Sequence, residues 1–148
     1  MQKCTLALGC FWKPEEKFKN KAGIIETEVG YAGGENSSVS YEEVCTGNSG
    51  YAEVVRLTFD ESKISFREIL YLFFKIHDST QKDMQYPDVG TQYRSEIFYE
   101  TEEQKQEASE VLNEFNEQLD GKIQTNISKI KNYCKAEEYH QRYIEKNR

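Results

Sequence analysis

Hydrophobic and polar positions alternate most clearly over residues 51–59, where Tyr51, Glu53, Val55, Leu57 and Phe59 share one face of a predicted strand. Two further strands are expected at residues 3–9, an apolar run buried on both faces, and at 24–32. Helical spacing predicts a helix over 14–21 and a second over about 65–77, its stripe being Phe66, Ile69, Leu70, Phe73 and His77. A strand around 95–99 leads into Thr101 and Gln104, a capping-box pattern, and a helix with the stripe Ala108, Val111, Leu112, Phe115 and Leu119. Asp120-Gly121 ends it; a short strand near 124–130 and a terminal helix near 136–146 complete the pattern. Strands interleaved with helices predict an α/β (α+β) two-layer sandwich, a mixed sheet with flanking helices and a ferredoxin-like core.

The chain has 148 residues, two prolines and no low-complexity tract, so one domain over residues 1–148 is expected. That length buries roughly 68–70% of the unfolded surface. Aromatics at 13% support a packed core despite a mean hydropathy of -0.81. A net charge of -7 argues against nucleic acid or an anionic membrane as partner. No apolar run approaches the ~18 residues of a membrane span, and no signal peptide is visible, so a cytoplasmic location is expected. The four cysteines, Cys4, Cys10, Cys45 and Cys134, form no C-x-x-C pair, which points away from a zinc ribbon or a thioredoxin-type dithiol. Metal binding is not expected.

Cys10 is the candidate with most chemistry around it. It stands in Gly9-Cys10-Phe11-Trp12, where an apolar run stops and a helix begins with Pro14 at its first position and Glu15 and Glu16 in its first turn. Unpaired N–H groups and the positive end of the helix dipole stabilise a thiolate there, and Lys13 adds a cation. The other reading is a buried structural cysteine. Glu53 falls on the apolar face of its strand, where lost hydration raises a carboxyl pKa and makes a proton donor near neutral pH; an exposed glutamate is the alternative. Tyr41 and Tyr93 lie in polar, turn-rich segments, not in apolar stripes, and a phenol there can donate into a cleft. His77 and His140 sit at helical spacing with apolar neighbours and read as core residues.

Taken together the motifs resemble the A-type peptide methionine sulfoxide reductases. Gly9-Cys10-Phe11-Trp12, Thr27 to Gly34, Ser40 to Gly47, Gly50 to Arg56, His77 to Gln81, Asp88 to Ser95 and Ala136 to Gln141 match in the family's order across nearly the whole chain. The resemblance implies thiol-dependent reduction of methionine S-sulfoxide, free or in proteins. It implies Cys10 as nucleophile, Glu53 as acid, and Tyr41 and Tyr93 on the sulfoxide oxygen with Asp88 in the same polar group. Phe11 and Trp12 would hold the methyl group. No metal or organic cofactor is implied; an external thiol is required.

The chain departs from the family pattern at Lys13, commonly a small residue, at Tyr51, commonly histidine, and at Ser79, usually proline. Many relatives continue into a tail with recycling cysteines, whereas this sequence stops at Arg148. The expectation is that thioredoxin, glutaredoxin with glutathione, or dithiothreitol reduces the Cys10 sulfenic acid directly. Cys134 is the candidate internal resolver, set against a structural role. Some tail-less relatives carry selenocysteine at the nucleophile, so position 10 is also a selenocysteine candidate. The competing readings are a non-catalytic methionine-sulfoxide or redox-sensing thiol module and a Cys–His hydrolase using His77 or His140.

Overall fold

The computed structural model describes residues 1–147; Arg148, where the sequence stops, lies outside them. Six strands form one mixed sheet: β1 (Gln2–Leu8), β2 (Ile24–Ala32), β3 (Ala52–Phe59), β6 (Ser95–Tyr99), β7 (Asn126–Lys129) and β8 (Cys134–Lys135). A small separate hairpin joins β4 (Met84–Gln85) to β5 (Asp88–Val89). The helices are α1 (Trp12–Lys19), α2 (Tyr41–Cys45), α3 (Phe66–Ile76), α4 (Glu102–Gln118) and α5 (Tyr143–Lys146). The sheet order is β7-β6-β1-β3-β2-β8, antiparallel throughout except for the parallel β6–β7 pair. The β1-α1-β2-β3-α3-β6 path with order β6-β1-β3-β2 is the ferredoxin-like core, extended by one short strand at each edge.

Alternation within the strands builds two apolar layers. Leu6 and Leu8 of β1, Val55, Leu57 and Phe59 of β3 and Ile97 of β6 pack against Phe18 of α1, Leu70 and Phe73 of α3 and Val111 of α4. Their neighbours Ala7, Ala32, Ala52, Val54 and Phe98 form a smaller cluster on the opposite face, where Ile130 and Tyr133 lie over them. Residues that read as doubly apolar therefore are buried on both sides, β1 from Cys4 to Leu8 included.

Three local expectations change. Helix α1 begins at Trp12, with Phe11 as N-cap, so Pro14 is third in the first turn and not first; its missing N–H still falls among the helix's unpaired donors. Thr101 does cap α4 by accepting from the Gln104 N–H (3.1 Å), but the Gln104 side chain turns to β1, donating to the Lys3 carbonyl (2.8 Å). The helix expected over 136–146 is broken into a short 3-10 turn, Glu138–His140, and α5. Side chains have taken over the backbone's bonds: the Gln141 amide donates to the Val29 and Ala136 carbonyls. Buried Glu15 accepts from the Arg142 N–H (2.7 Å), and Arg142 adopts φ +50.

Candidate active site

The antiparallel register sets Leu6 opposite Val55 and Leu8 opposite Ser95. The end of β1, the start of β3 and the start of β6 therefore meet at one end of the sheet, and the candidate residues gather there. Gly9 lets the chain leave β1 with φ +93, and a Cβ on it would come within 2.8 Å of the Gln85 side chain. Only glycine allows the β4–β5 hairpin, which carries Asp88, to approach the turn bearing Cys10.

Glu53 is second in β3, opposite Tyr31 of β2, and 1% exposed. Its Oε1 accepts from the Phe11 N–H at 3.3 Å, which seats it against the residue following Cys10. Burial pushes its carboxyl up to about 8, helped by the Asp88 charge and opposed by the Phe11 N–H. A protonated acid at neutral pH, the sequence expectation, follows from that environment.

Cys10 is a different matter. The Trp12 N–H at the start of α1 and the Lys13 cation do pull its pKa down, but burial, together with the Glu53 and Asp88 charges, pushes it up to about 12. The expected activation by the helix terminus is present and outweighed: desolvation of a thiolate costs more than one N–H and a screened cation return.

Tyr41 opens α2, a helix that composition alone reads as a turn-rich segment. The missed signal was Ser40-Tyr41-Glu42-Glu43, a capping box that is formed here. Glu137 fixes it, accepting from the Tyr31 hydroxyl (2.8 Å) and the Tyr41 N–H (2.9 Å). Tyr93 closes the 3-10 turn Thr91–Tyr93. Thr91 Oγ1 donates to the Gly47 carbonyl (2.8 Å) and Arg94 to the Gly50 carbonyl (3.0 Å), tying that turn to the loop after α2. Burial raises both phenols. For Tyr41 the Cys45 thiol and the Glu53 charge add to it; Tyr93 reaches about 12, with Glu53, Asp88, Cys45 and Cys10 contributing. Both hydroxyls keep their protons and so remain available as donors.

Phe11 and Trp12 sit in an aromatic cluster centred on a residue the sequence reading set aside. His140, 1% exposed, lies 5.2 Å from Phe11, 5.7 Å from Trp12 and 4.3 Å from Tyr41, ring centre to ring centre. Its Nδ1 accepts from the Trp12 indole N–H (3.1 Å). The proton therefore rides on Nε2, which has no partner among the described residues. Tyr143 stacks on Trp12 at 3.8 Å. No period in the sequence could bring residues 140 and 143 to residue 12, because the contact depends on the broken terminal helix. His77 is satisfied, as expected, but it is half-buried and caps the end of α3 instead of lying in the core: Nδ1 bonds the Phe73 carbonyl (2.6 Å) and must be the donor, so Nε2 accepts from Ser95 (2.8 Å), and burial lowers it to about 4.

Tyr51 turns away from the acid. Its ring packs on Gly34, where a Cβ would collide with it, and its hydroxyl donates to the Asn36 carbonyl. Cys134 stands opposite Tyr31 on β8 with its thiol toward the Val39 carbonyl (3.9 Å). Cys45, not Cys134, is the cysteine felt by both site tyrosines. All four cysteines are free. A cavity of about 430 Å³ opens beside Cys10, Trp12 and Asp88; Phe11, Tyr41, Glu53 and Tyr93 do not line it. Among the described residues no cluster of three or more His, Cys, Asp or Glu side chains could hold a metal, and no helix is long and apolar enough to cross a membrane.

The model of the family described as peptide methionine sulfoxide reductase matches residues 2–148. The chain belongs to that family. It is 55% identical over 146 residues to the peptide methionine sulfoxide reductase MsrA of Pelagibacter ubique, covering 99% of each chain. Reduced Mxr1 from Saccharomyces cerevisiae superposes with a TM-score of 0.95 at 41% identity, covering 99% of this chain and 85% of that one. Mxr1 in complex with Trx2 matches with a TM-score of 0.69 at 28% identity, covering 96% and 84%.

Proposed function

We propose that residues 1–148 are one catalytic domain that reduces methionine S-sulfoxide, free or in proteins, at the expense of an external thiol. Family membership supports the reaction class. The observation that carries the chemistry is the pairing of Cys10 with a buried Glu53 poised near 8.

The two groups share one mobile proton. Between pH 8 and 12 the resting pair is Cys10 thiol with Glu53 carboxylate. Moving the thiol proton to Glu53 creates the reactive form, thiolate beside neutral acid, and the separation of the two values sets this ~5 kcal/mol uphill. The gap narrows as the proton moves, because the Glu53 charge is itself one of the influences raising Cys10. Tyr41 and Tyr93 then hold the sulfoxide oxygen by hydrogen bonds, with Asp88 in the same polar group, while Phe11 and Trp12 hold the methyl group. Glu53 delivers the proton to the oxygen as Cys10 sulfur bonds to the sulfoxide sulfur. Methionine leaves, reduced by two electrons, as the adduct's S–S bond and the substrate's S–O bond break and the hydroxyl passes to the Cys10 sulfur, which, oxidised by two, holds it as a sulfenic acid. A first thiol converts that to a mixed disulfide and water; a second thiol frees Cys10.

The Mxr1–Trx2 complex supports thioredoxin as the physiological class of reductant; no cofactor enters the scheme. The test is methionine formation from each sulfoxide epimer with a dithiol, followed by mass spectrometry after one equivalent of substrate without thiol. Expected are turnover of the S epimer alone, one added oxygen on Cys10, and no turnover in Cys10→Ser. Reduction by Cys10→Ser would overturn the mechanism; a disulfide in place of the added oxygen would name an internal resolver.

A further inference from the structure

The cavity beside Cys10 is larger than the sulfoxide group needs, and its charge is uneven. At about 430 Å³ it falls within the ~300–1,000 Å³ of sites that take a drug-sized ligand. Ile76, Tyr86, Pro87, Tyr143 and Ile144 supply apolar wall, and Tyr86 is 78% exposed, an aromatic left in water at the rim. Along the α1 side stand Lys13 and Lys17, four residues apart and so one above the other on the same helix face. The third lysine of α1, Lys19, is occupied by Glu16 (3.3 Å) and Glu145 (3.2 Å). Among the described residues neither Lys13 nor Lys17 forms an ion pair. Asp88, at the Cys10 end, is the one carboxylate in the lining, and His77, half-buried and lowered to about 4, adds no charge at neutral pH. In a chain of net charge -7, two unpaired cations flanking a cavity that touches the nucleophile form a local exception.

Building on the reductase reading, the geometry assigns this cavity as a subsite for the residues flanking an oxidised methionine in a polypeptide, selecting an acidic neighbour through Lys13 and Lys17. With the sulfoxide at Cys10, the next residues of the peptide run along α1 over the apolar wall, and a carboxylate one or two positions away comes under the two ammonium groups. Free methionine sulfoxide has no flanking residue to occupy the part of this space beyond Cys10 and Trp12.

The assay compares kcat/KM for blocked tetrapeptides in which methionine sulfoxide is flanked by Asp or by its neutral isostere Asn, on either side. Two exposed pairs give an Asp-over-Asn ratio of about three- to tenfold at low ionic strength, shrinking as salt shortens the screening length. In the Lys13→Gln/Lys17→Gln protein the ratio falls to about one, and in Lys13→Glu/Lys17→Glu it inverts. Lys63→Gln, in the turn that follows β3 at the end opposite Glu53, keeps it. Lys13 also lowers the Cys10 pKa, but that acts on both peptides and cancels in the ratio. A ratio of one in the unmodified protein, or a preference that survives loss of both lysines, overturns the subsite. Fluorescence of Trp12, the sole tryptophan and part of the cavity wall, reads binding of the same peptides without turnover. Failure of the reductase reading would abolish turnover of every peptide and leave that titration to judge the subsite.

Discussion

Glu53→Gln isolates the proton-transfer role from shape, because glutamine keeps the volume and can still accept the Phe11 N–H, yet can neither take nor give a proton. Three measurements should then move in directions that no single structural defect would produce. The first is rate: loss of a positioned acid–base group lowers kcat/KM by about 10²–10⁴. In the parent protein kcat/KM rises with pH and levels near 8, where Glu53 loses its proton and the pair holds the single mobile proton the reaction needs. In the variant that break disappears.

The second is thiol reactivity. The Glu53 charge helps hold the Cys10 pKa up, so removing it lowers that pKa, and alkylation of Cys10 by iodoacetamide becomes faster while sulfoxide reduction becomes slower. The third is stability. The folded carboxyl sits near 8 against an ordinary 4.5, so folding takes up a proton and stability is lost as pH rises from about 4.5 through 8. Fully ionised, the buried carboxylate costs ~5 kcal/mol, which glutamine does not incur. The variant should match the parent below pH 4.5 and exceed it above 8 in denaturant midpoint. Retention of the rate break near 8, or within-twofold activity, would refute the assignment of Glu53 as the acid.

Replacing Cys4, Cys45 and Cys134 together should leave dithiothreitol-driven turnover within about twofold; its collapse in steady-state assays would restore an internal resolver, with Cys45 the first to reinstate. His140→Leu removes the acceptor for the Trp12 indole and should raise KM about three- to tenfold, the value of roughly one hydrogen bond, with a smaller change in kcat; His140→Gln, which keeps an acceptor, should recover part of it. Glu15→Gln weakens the bonds from Thr27 Oγ1 (2.8 Å) and the Arg142 N–H (2.7 Å) and should cost ~1–3 kcal/mol, lowering the melting temperature by about 2–4 °C per kcal/mol in a thermal scan.

Much of this architecture is written in short-range patterns. Strand β2 was legible to the residue because β-branched and aromatic residues (Ile24, Ile25, Thr27, Val29, Tyr31) recur from Ile24 to Ala32, and Glu53 was legible as a misplaced carboxylate on an apolar face. What escaped depends on contacts distant in sequence. The terminal helix fails because Glu15 and the Val29 backbone, more than 100 residues earlier, compete for its hydrogen bonds. The β4–β5 hairpin is two residues per strand, too short to show a period. His140 was read by helical spacing as packing, which is true of its ring and blind to its Nδ1. The sign of the Cys10 shift was missed for a related reason: a helix N-terminus is visible in sequence, whereas the depth at which it is buried is not.

That sign shapes how the site is poised. A thiolate standing permanently beside an aromatic wall would be open to any oxidant and would climb the oxidation ladder without turnover. Here the resting sulfur is a thiol, held protonated by the same burial that prepares the acid and, above pH 8 where Glu53 is ionised, by the Glu53 charge as well. In the proposed mechanism the nucleophile appears when its proton crosses to ionised Glu53, and that crossing is favoured when a sulfoxide oxygen, bonded by Tyr41 and Tyr93, is present to receive the proton next. One buried carboxyl thus restrains the thiol in the empty site and releases it in the occupied one, coupling reactivity to substrate through a single shared proton.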